Sequence, residues 1–211
     1  MRRDIVSIEP SGLAGSLRWP EKANALVVFA HGSGSSRLSP RNTQVANALN
    51  AMGMATFLFD LLRRDEEADR ANVFDIPLLA NRLMAAVDWL DREKGTGNLH
   101  LGLFGASTGA AAALIAAAEL GGKVEAVVSR GGRPDLAMKA LPRVKAPTLL
   151  IVGGADAEVI ALNEMAFEHL PGPKSLAIVP GAGHLFSEPG ALEEVIDRAG
   201  SWFERYLSGK R

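Results

Sequence analysis

The segment Leu99-His100-Leu101-Gly102-Leu103-Phe104-Gly105-Ala106-Ser107-Thr108-Gly109, followed at once by the small-residue run Ala110 to Leu120, leaves this chain few ways to fold. An apolar run of strand length, a Gly-x-Ser-x-Gly turn and a helix-forming run in immediate succession describe a nucleophile elbow. In that turn a strand passes tightly into a helix and lifts one serine hydroxyl above the sheet edge. Ser107 is the candidate nucleophile. Gly105 and Gly109 stand two residues to either side of it, where a side chain is expected to collide as the strand folds back against its helix. The five-residue pattern alone arises by chance, so the strand before it and the helix after it carry the inference.

The rest of the chain supplies partners for that unit. Ile5-Val6-Ser7-Ile8 alternates at period two, and Leu13 to Trp19 follows the turn signal Pro10-Ser11-Gly12, which predicts an opening antiparallel hairpin. Ala25 to Ala30, Ala55 to Phe59, Val124 to Ser129, Pro147 to Val152 and Lys174 to Val179 read as further strands. Several are apolar on both faces, as strands covered by helices on either side must be. Helical spacing separates them at Asn42 to Met52, Ile76 to Glu93, Val159 to Leu170 and Ala191 to Leu207, with a short helical piece near Leu136 to Ala140. The expected architecture is a mostly parallel, doubly wound α/β sheet of about eight strands with ligands at the carboxyl ends of the strands. At 211 residues it fits one domain.

Two stretches depart from this alternation. Leu61 to Asp75 is the most charged segment, with Arg63, Arg64, Asp65, Glu66, Glu67, Asp69 and Arg70 close together. It reads as a solvated loop, the alternative being a rim that contacts substrate. The stretch between Ser129 and Pro147 leaves room for only a short crossover, so no large lid is expected and the site should be open.

Composition narrows the function classes. A formal charge of −1 with no basic patch gives no electrostatic reason for a nucleic-acid or membrane partner. The absence of cysteine removes disulfides, thiolate metal sites and cysteine nucleophiles. The start, Met1-Arg2-Arg3-Asp4, does not read as a signal peptide, and the apolar run Ala110 to Ala118 is far short of a membrane span, so a cytoplasmic location is expected. The four histidines are scattered without His-x-x-x-His spacing, and neither Gly-x-Gly-x-x-Gly nor a Gly-Lys-Ser/Thr loop occurs. Neither a metal nor any other cofactor is expected; a monomer and a homodimer both remain open.

A serine nucleophile needs a base, an acid to orient that base, and donors for the oxyanion. His100 lies within the elbow strand and His169 at the end of a helix, leaving His31 and His184 after strands. Ser107, Asp156 and His184 follow the Ser, acid, His order of elbow enzymes, so His184 is the candidate base and His31 is expected to hydrogen-bond backbone. Asp156 leaves its strand through Gly153-Gly154 and is the candidate acid. Among its rivals, Glu158 is expected to open the next helix, Asp135 stands at the position some related enzymes use, and Asp60 reads as a loop or cap residue. The backbone N–H groups of Thr108 and of Ser33, in His31-Gly32-Ser33-Gly34, are the candidate oxyanion donors. Arg130 follows a strand beside two glycines. Either it binds an anionic acyl substrate or it pairs with a neighbour such as Asp135.

Together, His31-Gly32-Ser33-Gly34, Gly105-Ala106-Ser107-Thr108-Gly109, Asp156 and Gly183-His184 resemble the α/β-hydrolase superfamily, within it the small dienelactone-hydrolase-like proteins. Ser129-Arg130-Gly131-Gly132-Arg133-Pro134-Asp135 is also similar to hydrolase domains found fused to phosphoribosyltransferases. The resemblance implies a cofactor-free hydrolase acting on a small-molecule ester, with thioesterase, acyltransferase and non-catalytic scaffold as alternatives. Dienelactone hydrolases proper use a cysteine nucleophile where this chain has Ser107, so their lactone specificity does not carry over.

Overall fold

The computed structural model describes residues 2–93 and 95–209. Its strands are β1 (Arg2–Ile8), β2 (Leu13–Trp19), β3 (Ala25–Ala30), β4 (Ala55–Phe59), β5 (His100–Ala106), β6 (Val124–Arg130), β7 (Thr148–Gly153) and β8 (Lys174–Val179). They form one eight-stranded sheet in the order β1-β2-β4-β3-β5-β6-β7-β8. β1 pairs with β2 and β2 with β4 in antiparallel fashion, and every other neighbouring pair is parallel. The helices are α1 (Pro40–Ala51), α2 (Arg64–Glu67), α3 (Arg70–Val73), α4 (Ile76–Arg92), α5 (Thr108–Leu120), α6 (Ala157–His169) and α7 (Ala191–Leu207).

The helices cover both faces, which is why the central strands lack a polar alternation. Leu101 and Leu103 of β5 join the core under α4 and α5 with Leu79, Leu83 and Leu114. Phe104, on the other face, joins Val45, Leu49, Val195 and Phe203 under α1 and α7. Gly102 is small for a packing reason, since a Cβ there would lie 2.7 Å from a ring carbon of Phe203. Ala110 to Ala113, Ala116 and Ala117 of α5 are wholly buried, and their short side chains let neighbouring elements close around this central helix.

Element boundaries moved for local reasons. α1 starts at Pro40 because the Ser39 hydroxyl accepts from Asn42 N–H at 3.3 Å and proline suits a first helical position. α5 starts at Thr108, directly after the turn residue, and α6 directly after Asp156. The helical piece expected near Leu136 to Ala140 is instead two 3-10 turns, Pro134–Ala137 and Leu141–Arg143, each with proline in its first turn. Two such turns in the β6–β7 crossover leave no large lid over the sheet edge.

Candidate active site

The elbow is built as a strained turn clamped on three sides. Ser107 has φ 51° and ψ −122°, a conformation rare for a residue with a side chain. Its N–H donates to Arg130 O at 3.2 Å, and its carbonyl accepts from Ala110 N and Arg133 N, each at 3.1 Å. The flanking glycines are needed for two different reasons. A Cβ on Gly105 would lie 2.4 Å from Ala110 Cα, where strand meets helix as anticipated. A Cβ on Gly109 would lie 2.3 Å from Ala30 O, so the second glycine makes room for the end of β3 rather than for its own strand.

Ser107, His184 and Asp156 come together from three separate strand ends. His184 Nε2 lies 3.3 Å from Ser107 Oγ, and His184 Nδ1 lies 2.7 Å from Asp156 Oδ2. The loops carrying the last two are stitched by backbone: Gly154 N–H donates to Val179 O at 2.8 Å and Ala155 N–H to Ala182 O at 2.9 Å. A Cβ on Gly153 would lie 2.3 Å from Ala182 O, so the glycines before Asp156 permit this contact. Asp156 sits at the N-cap of α6 yet makes no capping bond with its side chain; its carboxylate turns to His184 instead. His184 is about 39 % exposed and Asp156 about 17 %, so the imidazole is the more open of the two.

The rivals have other partners. Glu158 lies in the first turn of α6. Asp135 takes both its bonds from Arg133, at 2.9 and 2.8 Å, and Asp60 accepts from the backbone and guanidinium of Arg37. His31 is buried, with Nδ1 at 3.0 Å from Gly32 O and Nε2 accepting from Leu61 N–H at 3.0 Å. Both ring nitrogens are thus spent on backbone, and burial holds its pKa below the usual histidine value. His100 meets Glu125 at 2.9 Å and His169 meets Met165 O at 2.9 Å, both away from Ser107.

Thr108 and Ser33 face one another beside Ser107. As the first residue of α5, Thr108 has an N–H with no acceptor in its own helix. Gly32 lets the β3–α1 loop press on Ser107, since a Cβ there would be 2.9 Å from Ser107 Cβ. The Ser33 N–H that this loop delivers donates to Thr108 Oγ1 at 2.9 Å. That side-chain contact was not legible in the sequence, because the two residues are 75 apart.

Arg130 does not make the ion pair expected as its alternative role. Arg133, not Arg130, pairs with Asp135. The Arg130 side chain is buried, with Nη2 donating to Asn42 Oδ1 at 3.1 Å and its guanidinium 5.8 Å from the Phe186 ring centroid. Burial and the like charge of Arg41 lower its pKa to about 10. Strand alternation explains the difference, because Arg130 continues the Ala126 and Val128 face and so points under α1 and α7.

The charged segment after β4 also differs from a plain loop. It folds into α2 and α3, and although its charges face solvent, it walls two cavities beside the Gly32–Gly34 loop. One, of about 430 Å³, is lined by Ser33, Gly34, Glu67, Arg70, Val73 and Phe74. The other, of about 400 Å³, includes His31, Arg37, Asp60, Arg63 and Arg64. Glu66 anchors the segment, accepting from Arg63 N–H at 2.9 Å and pairing with Arg82 of α4 at 2.6 Å.

Residues 23–199 match the family model described as an alpha/beta hydrolase domain. The chain belongs to the alpha/beta hydrolases. Within that family it is similar to a dienelactone hydrolase from Anabaena variabilis, 56 % identical, with a TM-score of 0.93 over 98 % of this chain and 97 % of the other. Est1E from Butyrivibrio proteoclasticus shares the fold at 14 % identity, with a TM-score of 0.83 over 99 % of this chain and 100 % of that one. Two Mycobacterium tuberculosis proteins carrying the provisional name phosphoribosyl transferase are 57 % identical over 95 % of this hydrolase chain. The match spans 45 % of their length, so this chain corresponds to about half of each. Among the described residues no helix is long and apolar enough to cross a membrane.

Proposed function

We infer that this alpha/beta hydrolase cleaves small carboxylic esters through a covalent acyl-enzyme. The observation that carries the reading is the continuous path from Ser107 Oγ to His184 at 3.3 Å and on to Asp156 at 2.7 Å. Ser107 Oγ attacks the ester carbon and its proton passes to His184 Nε2. Asp156 accepts from Nδ1–H, which holds the imidazole in the tautomer that presents a lone pair to the serine. The carbonyl electron pair moves to oxygen and is stabilised by the Thr108 N–H at the positive end of α5; the Ser33 N–H, expected from the sequence to be the second donor, is turned onto Thr108 Oγ1 instead. Collapse expels the alcohol, which takes the proton from His184. A water molecule, deprotonated by the same imidazole, then releases the acid and restores Ser107.

Substrate size follows from the surroundings. The β6–β7 crossover is two short 3-10 turns rather than a helical lid, which supports small, soluble esters over long-chain lipids; the cavities of about 430 and 400 Å³ beside the Gly32–Gly34 loop are lined by none of Ser107, His184 and Asp156. The name of the Anabaena variabilis relative adds cyclic esters to the substrates worth assaying. The transferase name of the Mycobacterium tuberculosis relatives belongs to proteins about twice as long, and gives this chain no transferase chemistry. Arg130, buried against Asn42 and Phe186, enters as a support for the His184 loop rather than as a substrate contact. The test is hydrolysis of p-nitrophenyl esters from acetate to octanoate by purified protein beside Ser107→Ala. Activity falling with chain length and lost from the variant is expected; undiminished activity in Ser107→Ala would overturn the assignment.

A further inference from the structure

A hole built only from backbone N–H groups leaves the side chain of Thr108 unexplained. Thr108 is 5 % exposed, and its Oγ1 accepts from Ser33 N–H at 2.9 Å. A threonine hydroxyl has one proton to give as well as lone pairs to fill. Among the described residues, no protein acceptor takes the Thr108 proton. A buried hydroxyl beside the nucleophile therefore keeps an uncommitted donor. The approach that creates it is built in, because only a glycine at 32 lets the loop come close enough to Ser107 to bring Ser33 N–H onto Oγ1.

We propose that the Thr108 hydroxyl donates a hydrogen bond to the oxyanion formed at Ser107, oriented and polarised by the Ser33 N–H behind it. This rests on the reading of Ser107 as the nucleophile. One residue then contributes two donors, its N–H and its O–H, and Ser33 acts through the second of them. A chain of N–H to O–H to oxyanion strengthens each link, since every donor is polarised by the one before it. No proton is transferred and no bond to Thr108 forms; the hydroxyl only stabilises the charge that appears on the carbonyl oxygen. The competing idea is that Oγ1 merely occupies the hole and must swing out, in which case removing it frees Ser33 N–H and speeds the reaction.

Thr108→Val keeps the shape and deletes the hydroxyl, whereas Thr108→Ser keeps the hydroxyl. With p-nitrophenyl acetate, Thr108→Val is expected to lower kcat about 10²-fold with KM little changed, as loss of one hole donor does, and Thr108→Ser to stay within about threefold of the parent. Affinity for a trifluoromethyl ketone, whose adduct oxygen occupies the hole, should fall in parallel with kcat/KM. A Thr108→Val enzyme with kcat equal to or above the parent would overturn the proposal. Should that variant fail to fold, a crystal structure of the parent with a phosphonate on Ser107 decides. The phosphonyl oxygen is expected about 3 Å or less from Thr108 Oγ1, and an Oγ1 rotated away from it would refute the idea. Ser107→Ala separates the two levels: if it retains hydrolysis the nucleophile reading falls, and if it is inactive while Thr108→Val is unimpaired only the present inference falls.

Discussion

The elbow and the α2–α3 segment lie on either side of the Gly32–Gly34 loop and are held in opposite ways. At the elbow, backbone meets backbone: Gly105 and Gly109 have room for no Cβ, and Ser107 is held in a rare conformation by hydrogen bonds to its own N–H and C=O. The α2–α3 segment has no buried residue in either helix and is tied down through side chains, chiefly Glu66 to Arg82 and to Arg63. Close packing cannot be deformed gradually, whereas partly exposed ion pairs are individually weak and exchange with water. The contrast predicts that substitutions in the first region change turnover and that substitutions in the second change binding alone.

The largest expected effect tests the rigid side. Asp156→Asn should lower kcat about 10⁴-fold with an unchanged thermal midpoint, because the amide favours the wrong imidazole tautomer while the loops stay stitched by backbone. Gly109→Ala comes next. Its Cβ would press on Ala30 O at 2.3 Å, so calorimetry should report a loss of about 1–3 kcal/mol. Displacement of the β3 end and its loop should cost about 10²-fold in kcat. A well-folded, fully active Gly109→Ala enzyme would break the claim that the elbow is inflexible.

Smaller effects belong to the other side. Glu66→Gln removes the charge that holds Arg82 and Arg63, and stability should fall by no more than about 1 kcal/mol. The kinetic change should be a few-fold rise in KM for the longer acyl esters, with kcat nearly constant, since uniform binding is what is lost. If kcat fell as far as in Gly109→Ala, the segment would be part of the reaction geometry and the comparison would fail. The smallest effect concerns the joint. His31 ties the Gly32–Gly34 loop to Leu61, at the root of α2, and its pKa is held below 6.5 by burial. The unfolded chain therefore binds this proton more readily than the native one. The stability contributed by the neutral ring is complete above about pH 6.5 and declines on acidification below it. A thermal midpoint that falls between pH 7 and pH 5, less steeply in His31→Gln, is the expected result.

Much of the fold is legible in the sequence. The eight strands, the opening hairpin and the closing helix Ala191–Leu207 follow from apolar spacing and glycine or proline punctuation, which act over a few residues. The short crossover before β7 was anticipated as well, although its prolines made 3-10 turns of the expected helical piece. Leu61 to Asp75 was harder, because charge density reports exposure but not what an exposed segment covers. Val73 and Phe74, the apolar residues it contributes to the 430 Å³ cavity, do not stand at a spacing that announces a cavity wall.

By itself, then, the sequence determined the elements, their order and the sharp turn at Ser107, since each depends on sterics between near neighbours along the chain. Only the tertiary structure decided which polar atoms meet. It gave Asp135 to Arg133, sent Arg130 under α1 to Asn42, and set Ser33 N–H on Thr108 Oγ1. Those pairings depend on ångström distances between loops from different strands, and a hydrogen bond tolerates only a few tenths of an ångström.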